Sequence, residues 1–516
     1  MDRRRYLALV GAAAAVAGCS GGGEETTTGE TDTAADTDAA TATEEPTAEP
    51  TAPPTDAPTA TDSGTATEEP TDTETEGEPA EGVTLTFAAA PVQAGAMDAL
   101  NDALQSAGLR EGVTLELQET EERGLRGQAR EWTAGGRSAP DLIVTDAGWT
   151  RSLLRDSLGV QLDARPEFPE QARQRVRGSF EATVETVTDD GGAIRAVPLH
   201  VGVPTIAYRR DLFAEGGHEQ GGERATTPMT WQTFGNVIND VVNQTGVPLG
   251  FGFRAARTEE LACCLFNELL TSWGGAYFGR PDRLLERSGG RPVTAGNEPA
   301  RNAIAMLRTF MYDDDPQALD DYASQISSPD TLDWQGSEPR SRLERGNAAA
   351  IRAEPDELAA LGETSAGSSV GAMPLPYAVT EDEAAQRGAG GSSPSMGGWN
   401  VIVNPRSDDV SAAASAAAAM TTDEFHLAML EAANFVPPRA ALLETDRARN
   451  ADPLGDYLPA LRWSAENAIP RPSNRRWYER MSDVVAREVH DALSQEQNPT
   501  EAARGIASRL RRFEGS

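Results

Sequence analysis

Side chains able to do covalent chemistry are few in this 516-residue chain, and their spacing excludes more than it suggests. All 45 basic residues are Arg. Without lysine there is no phosphate-binding GxxxxGK loop, no Schiff-base amine, no SxxK nucleophile and no kinase-type ATP lysine. The segment around Ser365 does not make a GxSxG, because Glu363 stands where the first glycine is needed. The four histidines, His200, His218, His426 and His490, are scattered and form no HExxH, and no CxxC occurs. A metal site is therefore not expected, nor is any cofactor. Adjacent Cys263 and Cys264 read as small buried apolar residues of a helix rather than as a bonded pair. Carboxylates abound, so paired acids for glycoside cleavage remain an open alternative.

With 81 Asp plus Glu the net charge is −36, which opposes nucleic-acid binding because there is no basic surface to displace counterions. An acidic, lysine-free surface of this kind suits a protein kept soluble in concentrated salt. The charge is uneven. Residues 20–82 hold 18 acidic residues and no Arg, which leaves −20 for residues 83–516.

The same uneven distribution marks out the organisation. Residues 1–19 read as an export signal: Arg3-Arg4-Arg5-Tyr6-Leu7 fits the twin-arginine pattern. The apolar run Leu7–Ala17 that follows is far short of the roughly 20 residues of a membrane span. Val16-Ala17-Gly18-Cys19 then resembles a lipobox, which makes Cys19 the lipidated anchor at the outer face of the cytoplasmic membrane. Residues 20–82, rich in Thr, Pro and acid, cannot bury enough surface to offset their conformational entropy, so they are expected to form a disordered stalk. Asn243-Gln244-Thr245 is a lone glycosylation sequon.

From Val83 the pattern alternates between strands and helices, as in a parallel α/β sheet. Strands are expected at 83–87, 113–117, 141–145, 201–208, 249–253, 348–352 and 399–403. Helices are expected at 231–244, 259–273, 299–312, 411–432, 477–494 and 499–513. The last has a clean start: Asn498 caps, Pro499 is first and Glu501 completes the box. The length calls for two lobes.

Nine segments in order carry a resemblance. They are Pro140-Asp141-Leu142-Ile143-Val144-Thr145-Asp146; Ala196-Val197-Pro198-Leu199-His200 through Tyr208-Arg209-Arg210-Asp211-Leu212-Phe213; Thr230-Trp231-Gln232-Thr233-Phe234; Trp273-Gly274-Gly275; Glu344-Arg345-Gly346-Asn347-Ala348; Met373-Pro374-Leu375-Pro376; Gly397-Gly398-Trp399; Val436-Pro437-Pro438-Arg439; and Ile469-Pro470-Arg471-Pro472. Together they resemble the extracellular solute-binding proteins of ABC importers, in particular the sugar-binding group with the maltose- and trehalose-binding lipoproteins. The family's lysines are absent here, and Gly202 stands where many sugar binders place an acidic contact.

The resemblance implies a type II-like periplasmic-binding-protein clamp of two discontinuous lobes. Lobe one would be 83–198 plus 377–437, and lobe two 204–372 plus 440–516, with crossings near 199–203, 373–376 and 437–439. A small-molecule solute, a mono- or oligosaccharide, would bind in the cleft and close it by hinge bending, and permease subunits of the importer would read the closed form. Two alternatives stand beside this: the same fold with an oligopeptide, polyamine or oxyanion, and a lipid-anchored surface hydrolase.

A pyranose needs aromatic platforms and planar polar groups. Trp399 follows two glycines at a strand start, and Trp149 lies in the loop after a parallel strand, where open α/β sheets bind ligands. Asp146, as hydroxyl acceptor or helix cap, Gln93 after the first strand, and His200 on the hinge strand are the polar candidates. Trp477, Glu259 and Glu354 are taken from the family's ligand positions. Trp231 reads as structural, and Arg439 as either a hinge ion-pair partner or a contact.

Overall fold

The computed structural model describes residues 82–218, 222–287, 289–472 and 478–515. The export signal with Cys19, the stalk and Trp477 lie outside the described residues.

Two sheets organise the chain. The first has strand order β2-β1-β3-β9-β4, built from β1 (Val83–Ala89), β2 (Val113–Glu119), β3 (Leu142–Asp146), β4 (Ala196–Gly202) and β9 (Gly397–Val403). β1 pairs in parallel with β2 and β3, while β9 lies antiparallel between β3 and β4. Four strands therefore run one way and β9 alone runs back. The second sheet has order β6-β7-β5-β8, from β5 (Thr205–Arg209), β6 (Leu249–Gly252), β7 (Ala348–Ala353) and β8 (Val370–Met373). Here β5 is the antiparallel member.

Each sheet has its own apolar core. Phe87, Leu142, Ile143, Val401 and Phe425 are fully buried around the first, and Phe234, Phe251, Phe266 and Phe310 around the second. Strand β3 is a continuous apolar run because it is covered on both faces, as central parallel strands are. A further cluster, with Val201, Val203, Ala207, Leu430 and Val436, spans the crossings between the sheets. The architecture is thus α/β with mixed sheets in a two-lobe arrangement.

Several expected elements take a different form. The single strand expected at 201–208 is two, because Val203 and Pro204 carry the chain from β4 in one sheet to β5 in the other. The helix expected at 411–432 breaks into Val410–Ala419 and Asp423–Ala433, the second capped by Thr422 through Phe425 N at 3.2 Å. The helix expected at 259–273 begins with a wide π-type turn, Leu261–Phe266, before Asn267–Ser272. Within that turn Cys263 and Cys264 are joined by a vicinal disulfide, which corrects the reading of two separate thiols; both side chains are buried as expected. The closing helix Pro499–Glu514 has the full capping box of Asn498 and Glu501.

Candidate functional site

The carboxyl ends of β1, β3 and β4 and the amino end of β9 meet along one edge of the first sheet. Chain direction makes this the kind of edge at which open α/β sheets bind ligands. Register then decides which residues share it. Asp146 of β3 pairs with Trp399 of β9, and Trp399 pairs with His200 of β4. Three candidates far apart in sequence thus stand side by side, with their side chains on neighbouring strands.

A bulge makes this alignment. The β4–β9 register shifts between Pro198 and His200, with Leu199 as the extra residue of β4, and Gly398, opposite Val201 just beyond the shift, has φ of +104°. A Cβ there would lie 2.3 Å from the His200 carbonyl oxygen, so only glycine fits. Gly397 lies against the Arg471 guanidinium, which a Cβ there would push aside.

Asp146 proves to be a helix cap and an ion-pair partner. Its Oδ1 accepts from Gly148 N at 2.7 Å, starting the helix Ala147–Arg155. Both its oxygens also face Arg471 Nη1, at 3.2 and 3.3 Å. Behind it, a buried chain of hydrogen bonds fixes the strand ends. Thr145 and Thr150 hydroxyls lie 2.9 Å apart, and Asn400 Nδ2 donates to Thr150 and Thr186. Such a network holds the edge to one geometry.

Gln93 lies in the short helix Pro91–Ala94 just after β1. It is fully buried, and neither amide atom has a hydrogen-bond partner among the described residues. Burying an amide unpaired is costly, so this side chain is the best-prepared polar group at the edge. His200 stacks on Phe435 with centroids 4.1 Å apart, and its Nε2 is shielded without a partner among the described residues. Burial pushes its pKa from the ordinary 6.5 down to about 4, against a backbone hydrogen bond at Val201 that raises it; the ring is neutral at pH 7.

The other candidates are placed differently. Trp149 is only 7 % exposed and belongs to the first sheet's apolar core. Trp399 is part-buried, one side against the same core. Glu259 is exposed at the start of the helical segment that bears the disulfide. Glu354 caps the helix Pro355–Gly362 in a box with Glu357 and accepts from Arg352 at 2.9 Å. Trp231 fills the second core, as read from sequence. Arg439 pairs with Asp423 at 2.6 Å.

At the facing edge of the second sheet, charge is buried in pairs. Arg352 grips Glu268 with two bonds of 2.8 Å, and Arg254 reaches Glu260 and Glu357 at 2.6 and 2.8 Å. Burial raises the Glu357 carboxyl to about 7 despite Arg254. Asn267 donates to Ser395 Oγ and to the Pro470 carbonyl, and Glu268 accepts from Ser395 N, tying this edge to the segment that enters β9. Arg471, Asn267 and Glu268 were not singled out from sequence as site residues. Arg471 had a signal, since prolines on both sides pin its backbone; the other two had none.

Residues 95–453 match the bacterial extracellular solute-binding proteins. The chain belongs to that family. It is 24% identical over 450 residues to a probable ABC transporter-binding protein of Deinococcus radiodurans, covering 84% of this chain and 95% of the relative. Among solved structures it is similar to a maltose-bound MalE3 of T. maritima, with TM-score 0.64 and 22% identity over 83% of this chain and 99% of that one. It is also similar to the cyclic alpha-maltosyl-1,6-maltose binding protein of Arthrobacter globiformis, with TM-score 0.62 and 16% identity over 84% and 99% of the two chains. These likenesses establish the fold of this solute-binding protein as the two-lobe clamp.

Proposed function

We propose that this solute-binding protein captures a mono- or oligosaccharide between its lobes and delivers it to an ABC importer. The observation that carries the reading is the aligned edge Asp146–Trp399–His200: a flat aromatic ring flanked by a carboxylate and a neutral imidazole. An aromatic face suits the C–H side of a pyranose, and the flanking groups and Gln93 suit its hydroxyls. Pairing of Asp146 with Arg471 leaves this edge without an uncompensated charge, which favours an uncharged solute over a polyamine or an oxyanion. The maltose carried by the T. maritima structure points the same way.

In this reading 83–198 with 377–437 moves against 204–372 with 440–516, and Gln93, Asp146, Trp149, His200 and Trp399 approach the solute with Trp477, Glu259 and Glu354 opposite. Cys19 anchors the protein by lipid at the outer face of the cytoplasmic membrane after twin-arginine export, the stalk gives it reach, and the acidic surface adapts it to high salt. Thermal shift and calorimetry in molar salt against neutral sugars, polyamines, peptides and oxyanions test the proposal. Stabilisation by one or more neutral sugars is expected; stabilisation by a charged class alone would overturn it.

A further inference from the structure

A second group of charged residues lies away from the aligned edge and joins the two halves of the fold. Asp190 sits in the turn before β4, packed on the first sheet, and collects three guanidinium groups. Arg155 Nε donates to its Oδ1 at 3.1 Å and Arg151 Nη2 approaches at 3.4 Å, both from the helix Ala147–Arg155. The third comes from the other half: Arg287 Nε donates to Oδ2 at 2.7 Å. Arg287 follows the helical turn Pro281–Leu285, whose Leu284 is in the second sheet's core. That stretch is held firmly, because Arg291 just beyond it grips the buried Glu514 carboxylate at 2.6 and 3.1 Å. A second strut runs beside the first, with Arg155 Nη2 donating to the Leu285 carbonyl.

We propose that Asp190, Arg155 and Arg287 form a clasp that holds the lobes together without solute. The clasp has an exposed arm and a buried one. Arg287 is 68 % exposed, so its pair with Asp190 is weak alone and screened by salt. Arg155 is only 2 % exposed, so its bonds to Asp190 and Leu285 are charge-assisted and protected from screening. Arg151 and Arg155 are one helical turn apart and would repel each other without the carboxylate between them. Burial pushes the Asp190 carboxyl up, but the hydrogen bond from Arg287 and the charges of Arg155 and Arg151 outweigh it and hold the group ionised. The cavity beside the clasp, about 350 Å³, is lined from both halves by Glu185, Asp282, Glu286, Asp190 and Arg287. Opening the clasp would therefore return a buried guanidinium and a carbonyl to water together.

Small-angle X-ray scattering of the full chain, ligand-free and in molar salt, tests this with Arg287→Ala, Asp190→Ala and the double variant. Asp190→Ala, which cuts both arms at the carboxylate, is expected to have a larger radius of gyration than the parent, Arg287→Ala, which cuts only the screened arm, a smaller increase, and the double variant one no larger than Asp190→Ala. The isosteric Asp190→Asn decides in its place if circular dichroism shows that Asp190→Ala does not fold. An unchanged radius in the folded Asp190 variant would overturn the clasp. No sugar enters the measurement, so its outcome is separate from that of the sugar reading.

Discussion

Acid should loosen this protein through two histidines at the crossing between the lobes, in an amount fixed by their burial. His200 stacks on Phe435, beside the bridge between Val201 and Val436, and its pKa falls from 6.5 to about 4. His426 is buried next to Phe425 and falls well below its usual value through burial, then through Arg439 and His200. In the unfolded chain both take a proton near pH 6.5, whereas the folded chain refuses it until far lower. Between those values the unfolded state binds more protons, so stability rises with pH across the window and is level above it. For His200 the gap of about 2.5 units is worth about 3 kcal/mol. Glu185 and Glu357 oppose this. Burial raises both to about 7, so their contribution is full below the ordinary carboxylate range and fades as pH climbs to 7. The parent's own pH slope therefore hides the effect, and a variant exposes it. Replacing His200 with Gln removes the ring stack at every pH but the protonation cost only in acid. Urea denaturation in molar salt should find the parent's advantage over His200→Gln smaller by about 2–3 kcal/mol near pH 4.5 than near pH 7.5. An advantage equal at both pH values would refute the claim that burial holds this imidazole neutral.

Trp399→Ala should lower affinity for a stabilising sugar more than tenfold, about 2 kcal/mol, while costing less stability than the 3–5 kcal/mol of a fully buried Trp; calorimetry and melting of the ligand-free protein measure the two. Gly398→Ala should destabilise the fold, since a positive φ and a 2.3 Å approach to the His200 carbonyl leave no room for a methyl; a melting temperature equal to the parent's would contradict the bulge geometry. Asp146→Asn and Arg471→Met should be non-additive for sugar binding, with a coupling of about 0.5–3 kcal/mol in a double-mutant cycle; independent effects would mean the pair does not act as a unit. Dialysis to millimolar salt should unfold the body, because the −20 on residues 83–516 then repels over a screening length of roughly 30 Å; an unchanged circular dichroism spectrum would count against the salt adaptation.

What could be read from sequence divides along the range of the interaction. Strands β1, β2 and β3 were legible because alternation or an apolar run is a local signal of a half-buried or covered strand. Strand β8 was missed: four residues, Val370–Met373, with a glycine and an alanine inside, carry no period. The passage from β4 to β5 looked continuous because both pieces are apolar, and only the partner strands reveal that they belong to different sheets. Side-chain type alone also left roles open. Asp146 was weighed as cap or ligand acceptor, and its geometry provides the cap together with an ion pair. Glu354 was placed by resemblance, and its local chemistry is a capping box.

The alignment of Asp146, Trp399 and His200 was beyond any local reading, because it is created by a register shift. Period-two alternation says which face a residue takes, never which residue of a distant strand lies beside it. Without the bulge at Leu199 the β4–β9 register would slip by one, and His200 would move to the opposite face from Trp399. The Gly397-Gly398 pair was legible as a place where backbone comes close to something. What it approaches is the His200 carbonyl and the Arg471 guanidinium, so its glycines serve to build the site's walls. The same two residues thus leave room for the His200 backbone and for the arginine that balances Asp146. The geometry of this edge depends more on those glycines than on any one of the side chains it presents.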